Sequence, residues 1–79
     1  MLVKIKVYDE VKYNPDSKKV AEVEYEISSF KVVEGEEAEA IARETDEDGQ
    51  DEFNEYLVLE LANGETATFR NSHVDMFRI

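Results

Sequence analysis

The sequence predicts an α+β fold: a curled antiparallel sheet of four to five strands in two hairpins, with one short helix between the hairpins. Three observations predict it. Apolar and charged residues alternate on both sides of a turn in residues 2–27, residues 34–48 have helical periodicity, and a second strand–turn–strand pattern follows. Residues 1–79 are expected to form a single domain, because a chain of 79 residues has no room for a second core.

The first hairpin is predicted from two alternating segments. Residues 2–8 and residues 21–27 each place apolar side chains on one face and charged ones on the other, with the period of two that a half-buried strand requires. Between them, residues 14–17 have the sequence Asn-Pro-Asp-Ser, which favours a β-turn because Pro presets φ and Asn accepts a backbone hydrogen bond.

The pairing of these strands is predicted from their side chains. We expect Ile5 opposite Ile27, a register that also places Lys6 opposite Glu26. The alternation changes phase at Ser28 because the next large apolar residues lie on even positions. A β-bulge at this point would bend the strand and curl the sheet.

The helix is predicted in the Glu- and Ala-rich residues 34–48. Glu39 and Arg43 make an i, i+4 pair on its outer face, and Gly35 is a candidate N-cap. The alternative is a strand over residues 37–45, which would make the protein an all-β small barrel; Ala and Glu are depleted in strands. The predicted inner face has the spacing i, i+3, i+4, i+7 and comprises Ala38, Ile41, Ala42 and Thr45.

The second hairpin is predicted around Asn63 and Gly64. A three-residue loop with Gly64 in the left-handed conformation pairs Leu59 with Ala67, which gathers the apolar residues on one face. A two-residue loop would scatter them over both faces. Replacing Gly64 with Val is therefore expected to be far more damaging than replacing Asn63 with Asp.

The last residues, 71–79, are expected to form a helical turn capped by Asn71 or Ser72, then a short strand that packs Val74 and Phe77 under the sheet. The whole predicted core consists of apolar residues from the strands and the helix. It comprises Val3, Ile5, Val7, Val23, Tyr25, Ile27, Ile41, Leu57, Leu59, Leu61, Phe69 and Phe77.

The charge is distributed unevenly along the chain. Residues 34–60 contain twelve Asp and Glu residues and one base, Arg43, so this stretch carries −11, equal to the net charge of the whole protein. Such a protein repels phosphates and anionic lipid, so we expect neither nucleic acid nor a membrane as a direct partner. The first residues lack the apolar run of a secretion signal, and we expect a cytoplasmic location.

Catalytic and metal sites are not predicted. The chain has no cysteine, which excludes a thiolate zinc site. An EF-hand loop needs Gly at position 6 and Glu at position 12. If Asp46 were position 1, Gly49 would fall at position 4 and Leu57 at position 12, so the acidic segment does not match this motif. His73 is the single histidine and has only Ser72 beside it, so no nucleophilic set is indicated. We expect no enzyme activity and no cofactor.

Four segments carry a resemblance to other proteins. They are the run Gly-Glu-Glu-Ala-Glu-Ala-Ile at residues 35–41, the acidic loop at residues 46–52, the strand at residues 56–59 and the ending at residues 68–77, and they resemble small acidic proteins of Gram-positive bacteria and their mobile elements. The resemblance spans most of the chain. It implies a bacterial cytoplasmic setting and supplies no active site.

Two functions are consistent with these observations. The first is a protein-interaction module that docks a basic partner through residues 34–60, including the special case of a DNA-mimic inhibitor whose carboxylates imitate phosphates. The second is a structural or self-assembling β protein, a homo-oligomer that pairs edge strands. The residues expected to contact a partner combine charge density with exposure: Glu36, Glu37, Asp46, Asp48, Asp51 and Glu52.

Overall fold

The computed structural model describes residues 1–44 and 55–79. These residues form one antiparallel sheet of five strands in the order β4-β3-β2-β1-β5, with one short helix. The sheet does not close into a barrel, so the predicted α+β fold is confirmed and the small-barrel alternative is wrong. In chain order the elements are β1 (Leu2–Tyr8), β2 (Lys19–Val33), α1 (Glu36–Glu44), β3 (Tyr56–Leu61), β4 (Thr66–Arg70), a 3₁₀ turn (Asn71–His73) and β5 (Val74–Arg78).

The long strand β2 organises the sheet. Its first half pairs with β1, and its second half pairs with β3. The register shifts between Ile27 and Ser29, which confirms the predicted bulge at Ser28. The rings of Tyr25 on β2 and Phe69 on β4 lie 6.0 Å apart although β3 separates their strands, so large side chains meet across the inner face of the curled sheet.

The predicted register of the first hairpin is wrong by four residues. Ile5 lies opposite Val23 instead of Ile27, and Lys6 lies opposite Glu22 instead of Glu26. A shift by an even number keeps every side chain on its predicted face, which is why the alternation could not exclude it.

The register shifts because β1 and β2 are joined by a loop of residues 9–18 and not by a tight turn at residues 14–17. The Asn14 turn is present, with the Ser17 N–H donating to the Asn14 carbonyl at 3.0 Å and the Asp16 N–H donating to Asn14 Oδ1 at 2.9 Å. It lies inside a loop of residues 9–18 that is closed by the Asp9 N–H donating to the Lys18 carbonyl at 3.1 Å.

The helix Glu36–Glu44 lies within the predicted residues 34–48; residues 45–48, including Thr45 of the predicted inner face, lie outside the described residues. The Glu39 N–H donates to the Gly35 carbonyl at 3.0 Å, which makes Gly35 the residue that precedes the helix; its φ of +66° suits glycine. The carboxylate of Glu39 lies 3.8 Å from the Arg43 guanidinium. Ala38 and Ala42 are buried, and their small side chains let α1 lie close to the sheet.

The second hairpin also matches its prediction. Leu59 lies opposite Ala67, the Gly64 N–H donates to the Leu61 carbonyl at 3.0 Å, and Gly64 has a φ of +90°. The predicted cap of the following turn is wrong, because the N-cap position is held by Arg70 without a side-chain hydrogen bond.

Two clusters make up the core. The first lies on the inner face of the curled sheet, and the second lies between α1 and the outer face of β2 and β3. The first comprises Val3, Ile5, Ile27, Leu57, Leu59 and Val74, with Val7, Tyr25, Leu61, Phe69 and others packed against it. The second comprises Val33, Ala38, Ala42, Tyr56 and Val58, with Ile41 packed against it.

Two residues of the predicted core are exposed instead. Val23 is 37% exposed and Phe77 is 46% exposed. Phe77 lies opposite Lys4 on the outer face of β5, where the Lys6 ammonium lies 4.8 Å from its ring centroid. The second cluster was not foreseen because it makes β3 a strand buried on both faces, which the alternation of its leucines did not indicate.

Within residues 1–44 and 55–79, no helix is long and apolar enough to cross a membrane.

Candidate binding groove

The structure places two of the six predicted contact residues. Glu36 and Glu37 lie in the first turn of α1 and are exposed, where carboxylates also favour the positive end of the helix dipole. The other four, Asp46, Asp48, Asp51 and Glu52, lie outside the described residues.

Other carboxylates lie on the sheet and face lysines. Glu22 lies opposite Lys6, and Glu24 lies opposite Lys4, on neighbouring strands. This part of the surface mixes both signs of charge, as cross-strand pairing favours. The acidic residues of α1 differ, because four carboxylates accompany the single base Arg43 in its nine residues.

Ion pairs hold the helical carboxylates only weakly. The Lys31 ammonium lies 3.9 Å from Glu37, and both side chains are at least 65% exposed. Exposed pairs of this kind contribute about 0 to 1 kcal/mol. Glu37 therefore keeps its charge available to a partner that brings a competing Lys or Arg.

A groove of about 340 Å³ runs between α1 and the outer face of β2, β3 and β4. Its floor is apolar, because Val33 and Val58 are buried there and Ile41 packs beside them. Its rim carries the carboxylates of Glu37 and Glu44. The complete lining is Lys31, Val33, Glu37, Ala40, Ile41, Glu44, Val58, Thr66 and Thr68.

The groove exists because α1 covers only part of the sheet. The cluster under the helix contains residues of β2 and β3 and none of β4. Thr66 and Thr68 on β4 therefore remain exposed beside the helix, and the step between the helix and β4 forms the groove. The nine-residue helix is only about 13 Å long, so the groove beside it is short.

The Ser72–His73 pair does not have the geometry of a nucleophilic set. Ser72 Oγ lies 2.9 Å from His73 Nδ1, the ring atom that the orienting carboxylate occupies in a Ser-His-Asp triad, whereas the nucleophile contacts Nε2. The two residues are neighbours in one 3₁₀ turn. Among the residues that the structure describes, no group of three or more His, Cys, Asp or Glu side chains could hold a metal ion.

A polar cluster joins the loop of residues 9–18 to β5. The Lys12 ammonium donates to the Val74 carbonyl at 3.0 Å and lies 3.2 Å from Asp75 Oδ1. Burial, a hydrogen bond to Asp75 and the negative charge of Asp75 together raise the pKa of Tyr8. These contacts hold the loop against the strand, and we assign the cluster a structural role.

Comparison with protein-family models, with curated proteins and with solved structures finds no match to this chain. The resemblance to small acidic proteins of Gram-positive bacteria stays a prediction.

The sequence indicated the helical carboxylates of this site but not its walls. The sequence did not indicate that Thr66 and Thr68 line a site, because their pattern is that of the solvent-exposed face of a hairpin strand. One signal could have revealed the floor: Tyr-Leu-Val-Leu at residues 56–59 is a continuous apolar run, which is typical of a strand covered on both faces.

Proposed function

We propose that this protein is a cytoplasmic protein-interaction module that binds a basic segment of a partner protein in the groove beside α1. The observation that carries the proposal is the combination of an apolar floor, formed by Val33, Ile41 and Val58, with the carboxylates of Glu37 and Glu44 at the rim. Apolar contacts supply affinity in such a groove, and the rim selects Lys and Arg over acidic side chains.

The net charge of −11 supports a basic partner over a neutral one. A field of this size steers positively charged molecules toward the protein and raises their association rate at low salt. Proteins that bind nucleic acids carry basic surfaces that contact the phosphates. An inhibitor that occupies the DNA-binding surface of its partner is therefore a special case of this proposal.

Affinity purification from the source cell at low and at high salt tests the proposal. We expect a basic protein to be recovered at low salt and mostly lost at high salt, since screening weakens exposed charge pairs. A groove variant, Glu37→Gln with Glu44→Gln, should recover less of that protein.

A matched control separates the groove from the overall charge. Glu22→Gln with Glu24→Gln removes the same two charges from β2, on a surface where lysines lie opposite. We expect this control to bind like the unmodified protein. Equal losses in both double variants, or recovery that does not depend on salt, would contradict the proposed use of the groove.

Self-association is the second candidate function, and one observation favours it. Phe30 and Val32 are 47% and 51% exposed on the part of β2 that lies beyond its pairing with β1. Apolar side chains along a strand edge can pair with a second copy. Light scattering that shows an oligomer whose size does not change with salt would favour this function over the groove.

A further inference from the structure

We infer that the partner binds as an additional β-strand along the outer edge of β4, next to the groove. This inference rests on the proposed function and specifies how the basic segment is held. Main-chain hydrogen bonds would give affinity, and alternate side chains would give specificity, as in other complexes formed by strand addition.

The hydrogen-bond phase of the β3–β4 hairpin shows which backbone groups of β4 point outward. The Leu61 N–H donates to the Glu65 carbonyl at 2.8 Å, and the Asn71 N–H donates to the Glu55 carbonyl at 2.9 Å. Residues directly opposite each other on antiparallel strands alternate between hydrogen-bonded and non-hydrogen-bonded pairs. Leu61–Glu65 and Glu55–Asn71 are both hydrogen-bonded pairs, so every second pair between them is hydrogen-bonded as well. The pairs that contain Thr66 and Thr68 fall between the bonded ones.

The N–H and C=O groups of Thr66 and Thr68 therefore point away from β3. In the part of the chain that the structure describes, β4 is the last strand of the sheet on this side and pairs only with β3. Its five residues, Thr-Ala-Thr-Phe-Arg, include no Pro and no Lys and contain no bulge, the features that commonly protect an edge.

The opposite edge of the sheet is protected in a way that β4 is not. At β5, the side chain of Lys12 donates to the Val74 carbonyl, and the backbone N–H of Lys12 donates to the Ser72 carbonyl at 2.8 Å. The loop of residues 9–18 thus covers the start of β5. The covered start of β5 and the groove beside β4 together favour β4 as the edge that accepts a strand.

The surroundings of β4 define the chemistry of the added strand. Its alternate side chains on the outer face would lie beside Thr66 and Thr68, which line the groove together with Ile41. Apolar or β-branched residues fit there. Lys or Arg in the same segment would reach the carboxylates of Glu37 and Glu44. The ligand is therefore an extended peptide segment that alternates apolar and basic residues.

A second copy of this chain is a weaker occupant of the same edge. Each copy carries a net charge of −11, and like charges oppose association. A basic segment relieves that charge on binding, which is why we assign the edge to a partner of opposite charge.

The test uses a short synthetic peptide of alternating Lys and Val together with the 79-residue protein. We expect binding to slow amide hydrogen exchange at Thr66 and Thr68. The variant Thr68→Pro removes one outward N–H while leaving the bonds between β3 and β4, since Pro is tolerated at an outward-facing position of an edge strand. We expect this variant to bind at least about tenfold more weakly than the matched control Thr68→Val, which keeps the N–H.

A second measurement tests strand addition without relying on the Thr68→Pro variant to fold. A peptide with the same sequence, N-methylated on the residues whose N–H groups would face β4, keeps its charge and its apolar side chains. We expect it to bind the unmodified protein at least about tenfold more weakly. Equal binding of the methylated and unmethylated peptides, or equal affinity of Thr68→Pro and Thr68→Val, would overturn strand addition.

The remaining outcomes separate this inference from the proposed function. If the alternating peptide does not bind but a basic protein is still recovered in a salt-dependent way that depends on Glu37 and Glu44, strand addition is overturned and the proposed function stands. If neither binds, both are overturned. Concentration-dependent protection of Thr66 and Thr68 without peptide would assign the edge to a second copy and overturn the inference.

Discussion

Gly64 offers a sharp test of how the second hairpin turns. Its φ of +90° lies in the region that L-residues rarely adopt, and a Cβ added at this position would have no heavy atom within 4 Å apart from those of its two chain neighbours. Steric contact with the rest of the protein therefore contributes nothing to the cost of a substitution. The whole effect is local backbone strain, which makes its magnitude simple to work out.

The expected losses of stability follow from that strain. Gly64→Ala should lower the free energy of unfolding by about 1 to 2 kcal/mol, the cost of left-handed backbone for an L-residue. Gly64→Val should lower it by up to about 3 kcal/mol, because a β-branched side chain resists positive φ further. With a urea m-value of about 1 kcal/mol per molar for so small a domain, the unfolding midpoint should fall by about 1 to 3 M.

Urea denaturation followed by circular dichroism measures these shifts, and two controls identify their cause. Asn63→Asp keeps the side-chain oxygen that accepts the Glu65 N–H at 2.9 Å, and it should change stability little. A synthetic chain with D-alanine at position 64 should be at least as stable as the unmodified protein, because a D-residue favours positive φ.

One result would refute the reasoning. If D-alanine and L-alanine at position 64 destabilise the protein equally, the loss comes from the added methyl group and not from the backbone conformation. The bulged three-residue turn would then be the wrong description of this hairpin in solution.

Three further predictions concern packing and charge. Ala38→Leu should destabilise the protein by about 1 to 3 kcal/mol because it overpacks the buried contact between α1 and the sheet; thermal unfolding checks this, and an unchanged Tm would contradict it. Lys12→Met should cost about 1 to 2 kcal/mol because it leaves the Val74 carbonyl and Asp75 without their cation; hydrogen exchange should then accelerate in residues 9–18, and unaltered exchange would argue against the anchoring role. The raised pKa of Tyr8 means that the folded state favours the neutral phenol. The neutral phenol therefore stabilises the fold below the pKa of an unfolded tyrosine, and this stabilisation is lost as pH rises through the folded pKa. Asp75→Asn should lower the pKa of Tyr8. The titration is followed by tyrosinate absorbance, and the part that Tyr8→Phe removes belongs to Tyr8. An unchanged pKa in Asp75→Asn would show that burial alone causes the shift.

The fold could be predicted largely because its signals are local. Strand alternation, the phase change at Ser28, the helical spacing of Ala38 and Ala42, and the turn at Gly64 each depend on residues close together in the chain. The register of the first hairpin could not be predicted in the same way. Registers that differ by an even number of residues give identical faces, and only the packed loop of residues 9–18 distinguishes between them.

The candidate site was predictable only in its charge. Glu36 and Glu37 were expected to be exposed on a helix, and they are. The groove beside them requires that α1 covers β2 and β3 while Thr66 and Thr68 stay uncovered. No pattern within any one segment carries that information, because it concerns the position of one element on another.

The sequence by itself determined the elements of this protein, their order and the sign of its surface charge, because backbone preferences and side-chain charge act within a few residues. The tertiary structure alone decided that β3 is buried on both faces, that β4 is the last strand on its side of the sheet in residues 1–44 and 55–79, and that a groove lies between that strand and the acidic helix. These features depend on how the helix and the strands pack against one another, and that packing involves side chains that are distant in the chain.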